Sequence, residues 1–181
     1  MLEYYSPLNL LEWVALFLAF AISARSPNIR WLTGTLIVFK SFDLLTISII
    51  LSWGGFYYVF ISIMDLIVIL LILKRQKTAT ALSGVNFKFI QHLARRSAEY
   101  YKLTSNEIGI ILLYMLSISV NLASLVERAI RKYTQFDPMF VYNNFAMSKF
   151  VITTLITLIL YSVAIDGARN LYLDRKRPNT G

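Results

Sequence analysis

Three charged residues stand inside stretches that are otherwise apolar. Lys40 and Asp43 interrupt the run Trp31–Leu51, and Asp65 is the single charge in Phe56–Leu73. Between the runs, Ser52-Trp53-Gly54-Gly55 has turn composition, so the two read as an antiparallel helical hairpin. Asp43 lies eleven residues before Gly54 and Asp65 eleven after it, which sets both carboxylates at one depth. Lys40 sits about one helical turn from Asp43, on the same face. A charge at the centre of a bilayer costs roughly 2.5–3.5 kcal/mol on insertion scales, so a partner or a purpose is expected. One purpose is a proton or cation route, which needs a carboxylate that can take up and release a proton. The plainer reading is an internal ion pair that fixes the hairpin or an interface between copies. One lysine against two aspartates leaves a negative charge uncompensated in either case.

A second pattern runs along the apolar stretch beginning near Ile108. Tyr114, Ser117, Asn121, Ser124 and Arg128 recur at intervals of three or four, the signature of one helix face. In lipid such a stripe joins helices through hydrogen bonds of about 0.6–2 kcal/mol, or it lines an aqueous pore. Thr154, Thr157 and Tyr161 form a weaker stripe farther on, and Ala15 with Ala19 makes a small-residue pair suited to close packing.

The third pattern is basic. Asn86–Lys102 is patterned as an amphipathic helix, with Phe87, Ile90, Ala94, Ala98 and Tyr101 on one side. Lys88, His92, Arg95, Glu99 and Lys102 occupy the other, with Arg96 beside them. Such a helix rests on an anionic leaflet or docks a cytosolic protein. Nucleic acid is not expected, because the basic residues are few and bilayer attachment accounts for them. His92 is the only histidine and cysteine is absent, so no metal site is expected. H-E-x-x-H, G-x-S-x-G and the P-loop are also missing, so neither catalytic residues nor a cofactor are expected.

These residues must be positioned by membrane helices. Of 181 residues, 57% are hydrophobic, above the 45–50% usual for soluble domains. The chain reads as a single all-α transmembrane domain, a polytopic helical bundle. Five spans are expected, at about 8–24, 31–51, 56–73, 106–128 and 147–168, plus the amphipathic helix in a cytosolic loop, 75–105. Thr104 with Glu107 predicts a capping box opening the fourth span. The first apolar run lacks a positive leader and carries Glu12, so it reads as a retained span rather than a signal peptide. If it lay in the interface instead, four spans would remain.

Lysine and arginine gather on the side of residues 75–105, while Arg128, Arg131, Lys132 and Lys149 are assigned to the other. That bias predicts an outside N-terminus and a cytoplasmic C-terminus, in a bacterial inner membrane. The function expected is a non-enzymatic anchor or sensor subunit, self-associating, that presents the basic loop to a soluble protein. A secretion, envelope or phage-defence assembly would use such a subunit. An oligomeric ion or proton channel built on Lys40, Asp43 and Asp65 is the alternative, and a holin-like permeabilising protein is a third class.

Overall fold

The computed structural model describes residues 7–23, 26–84, 88–99 and 103–176. Among them every regular element is a helix: α1 (Pro7–Ile22), α2 (Pro27–Leu51), α3 (Phe56–Leu73), α4 (Arg75–Leu82), α5 (Lys88–Glu99), α6 (Ser105–Tyr133) and α7 (Phe140–Lys176). Four of them, α2, α3, α6 and α7, are long and apolar enough to cross a membrane. The chain is a helical membrane bundle. Large apolar side chains such as Leu45, Phe56, Leu112 and Leu158 point outward, an arrangement that lipid favours and water does not.

Local signals set the helix ends. Proline opens α2 behind Ser26, where its missing N–H removes no helical bond. At the other end of α2, Gly54 takes φ 61°, a left-handed conformation that reverses the chain into α3. The Arg128 side chain lies over this turn, and a β-carbon at Gly55 would come within 3.3 Å of its Nε. The capping box at α6 is present: Glu107 N–H donates to Thr104 Oγ1 at 3.3 Å, and Thr104 N–H donates to Glu107 Oε2 at 2.9 Å.

Several elements differ from expectation. Helix α1 has 16 residues, so it is about 24 Å long, short of a 30 Å hydrocarbon core. It nevertheless packs inside the bundle against α2 and α7, with Ala15, Leu16 and Ala19 buried. Helix α7, Phe140–Lys176, overruns the span expected at about 147–168 at both ends. Its 37 residues extend about 55 Å, because helix-compatible residues continue beyond the apolar stretch at both ends. The basic region contains an unexpected helix, α4, too short and too polar to show hydrophobic periodicity.

Helix α6 is the spine. Its buried residues, Glu107, Ile110, Ile111, Ser117, Asn121, Ser124 and Glu127, recur at helical spacing and divide the bundle into layers. One end carries α4 and α5 and is called here the loop end; the other carries Gly54 and is called the turn end. Between them lies an apolar layer in which Ile110 and Ile111 meet Val68, Ile69 and Ile72 of α3, Ile152 and Ile156 of α7, and Leu32 and Leu36 of α2. A polar layer follows toward the turn end.

Candidate functional site

The polar layer is built from five helices. Asp65, midway along α3, is buried and accepts a hydrogen bond from Ser117 Oγ of α6 at 2.6 Å. Asn121, one helical turn farther along α6, brings its Nδ2 to the same Asp65 oxygen at 3.5 Å, while its Oδ1 is buried without a partner. Lys149 of α7 donates to Ser117 Oγ at 2.6 Å. Ser117 therefore sits between an ammonium and a carboxylate, receiving from one and donating to the other. This chain fastens α3, α6 and α7 at mid-span.

The other half of the layer comes from α1 and α2. Lys40 of α2 forms an ion pair with Glu12 of α1, whose side chain is buried. Asp43 stands about one turn from Lys40, half-buried, and has neither a hydrogen bond nor an ion pair from its side chain among the described residues. It lies within electrostatic range of Lys40 and Lys149. Asp65 in turn lies within range of Asp43 and Lys40, and the Tyr114 side chain within range of Glu12, Asp43 and Asp65.

The structure brings the expected cluster of Lys40, Asp43 and Asp65 into one layer, in which Lys40 pairs with Glu12 and the direct donor to Asp65 is Ser117. Two members of the layer, Glu12 and Lys149, lie outside the expected cluster. Their sequence signal is that each is a charge within an apolar helix, and the mid-membrane argument that selects Asp65 applies to both.

The polar stripe on α6 has a mixed fate. Ser117 and Asn121 face Asp65, and Ser124 is buried with its hydroxyl returned to Val120 O at 2.9 Å. Tyr114 is half-buried, and Arg128 leaves the stripe to cover the glycine turn. Beyond the stripe, Glu127 accepts from the backbone N–H groups of Val141 at 2.9 Å and Tyr142 at 2.7 Å. A carboxylate of one helix thereby caps the N-terminus of another, where unpaired donors and the helix dipole favour negative charge.

The basic segment is seated on the bundle. Helix α5 packs against α4 and α2, with Ala94 and Ser97 fully buried. Lys88, His92 and Arg95 are exposed on its other face. The side chain of Arg96 and all of Lys102, Phe87 and Tyr101 lie outside the described residues. At the root of this platform, Arg75 of α4 forms a buried ion pair with Glu107 of α6, the same carboxylate that closes the capping box. Nearby, Asn106 Nδ2 donates to Asp166 of α7 at 3.1 Å, and a cavity of about 40 Å³ opens between Asn28, Asn106, Glu107 and Asp166.

No family model, curated protein or solved structure matches this chain.

Proposed function

We propose that this protein is a non-enzymatic membrane subunit that holds a basic helical platform against the cytoplasmic face and docks a soluble, acidic partner there. The observation that carries the reading is the coupling of α5, through α4, to the membrane bundle. Ala94 and Ser97 seat α5, and the Arg75–Glu107 pair joins α4 to α6. A helix whose purpose was only to float on lipid would need no such root. Lys88, His92 and Arg95 then form a face of fixed position, as recognition of a partner requires.

Charge distribution supports the orientation. With Lys40 and Lys149 inside the bundle, the turn end of α6 keeps Arg128, Arg131 and Lys132, and the loop end holds the larger share of lysine and arginine. That bias favours a cytoplasmic loop end.

The test is affinity purification of wild type and Lys88→Glu/Arg95→Glu from native membranes, with soluble proteins identified by mass spectrometry. A soluble protein recovered with wild type and lost with the variant, at unchanged thermal stability, is the expected result. Equal recovery with both proteins would refute the docking face.

A further inference from the structure

We propose that Asp43 is a proton-binding site in the middle of the membrane, a carboxyl group that takes up and releases one proton. The inference concerns α2 and stands whether or not the platform docks a partner.

Pairing within the layer assigns the role. Glu12, Asp43 and Asp65 supply three carboxyl groups, and Lys40 and Lys149 supply two ammonium groups. Lys40 is committed to Glu12 by a direct ion pair. Lys149 is committed to Asp65 through Ser117, with both links at 2.6 Å. Asn121 Nδ2 gives Asp65 a further donor. Each of these two acids thus has a cation and donors of its own. Asp43 is left over.

Its position makes a lasting negative charge unfavourable. Asp43 lies about 18 Å along α2 from Trp31 and about 12 Å from Leu51, inside the hydrocarbon core by either measure. Phe42, Leu44 and Leu45 beside it are exposed on the outer surface of the bundle. A half-buried group here meets the charged layer on one side and hydrocarbon on the other. The layer also contains a second acceptor without a donor, the buried Asn121 Oδ1. A protonated Asp43 would add an O–H donor to this layer.

The charged groups that face Asp43 are Lys40 on the same helix, Lys149 from α7 and Asp65 from α3, with Glu12 of α1 paired to Lys40. The Tyr114 hydroxyl of α6 lies in the same field. The chemical step is simple. Hydronium supplies the proton, an O–H bond forms on the Asp43 carboxyl, and water departs; release is the reverse.

A lipid-soluble carbodiimide reads the protonated form directly. It reacts with a protonated carboxyl in an apolar setting, taking the acidic proton on nitrogen while the carboxyl oxygen bonds to the central carbon. Purified protein in neutral-lipid vesicles is treated between pH 5 and pH 9, digested and mapped by mass spectrometry. The expected result is one adduct, on Asp43, whose yield falls by about tenfold per pH unit once the site begins to ionise. Asp43→Asn should abolish the adduct. Labelling on Asp65 or Glu12 instead would overturn the assignment. So would the absence of labelling across the range, because a carboxylate paired with a cation from a second copy would stay ionised. The wild-type map decides the question even if the variant folds poorly.

Discussion

The buried pair at the root of the platform gives the sharpest quantitative test. In Arg75→Met, the guanidinium disappears and the Glu107 carboxylate, only 2% exposed, keeps its charge without its cation. Removing one member of a buried ion pair costs about 3–5 kcal/mol, because the remaining charge has lost water and partner alike. The cavity of about 40 Å³ beside Glu107 is lined mostly by apolar surface and offers the stranded charge little compensation, so the loss expected stays within about 3–5 kcal/mol. Glu107→Gln alone strands the guanidinium at comparable cost. The double variant Arg75→Met/Glu107→Gln removes both charges. Glutamine at this position still completes the capping box with Thr104, so a contribution of about 0.5–2 kcal/mol is retained. Its stability should return to within about 2 kcal/mol of wild type, far from the sum of the single losses.

The assay is reversible unfolding in mixed micelles at increasing denaturing detergent, followed by tryptophan fluorescence. Amide hydrogen exchange over Arg75–Leu82 adds a local readout. Single variants that each lose less than about 1 kcal/mol would refute the argument, since an exposed pair behaves that way. A double variant as unstable as the two single losses combined would refute it as well.

Two further variants probe the other layers. Glu127→Ala removes the acceptor of two backbone donors at the start of α7, so exchange over Phe140–Asn143 should quicken, with a loss of about 0.5–2 kcal/mol. Protection unchanged there would show that the helix start needs no remote cap. Ser117→Ala deletes the hydroxyl between Lys149 and Asp65 and should destabilise the bundle by about 1–3 kcal/mol, with Ser117→Thr close to wild type. Equal stability of the alanine and threonine variants in the same detergent titration would remove the hydroxyl from the account.

Much of this architecture is written in local sequence. An apolar run of helical length identifies a membrane helix whatever it packs against, because lipid leaves the backbone few alternatives to intrahelical hydrogen bonds. The glycine turn at Gly54, the proline at the start of α2 and the capping box at Thr104 and Glu107 are equally local, each satisfied within a few residues. The depth of Asp43 and Asp65 follows from counting along two helices joined by a tight turn.

Partnership is a different kind of quantity. Lys40 has Asp43 within reach on its own helix, yet it pairs with Glu12, because α1 packs beside α2 and delivers a carboxylate at that depth. Whether Lys149 points into a polar loop or into the bundle depends on where α7 begins. That start is fixed by Glu127, fourteen positions before the Val141 N–H it accepts. Arg75 lies thirty-two positions from its partner Glu107. Sequence determined the α2–α3 hairpin, its turn and the matched positions of Asp43 and Asp65, since those follow from chain-local hydrophobicity and geometry. Tertiary structure alone decided which charge meets which, because the Lys40–Glu12 and Arg75–Glu107 pairs each join side chains on different helices.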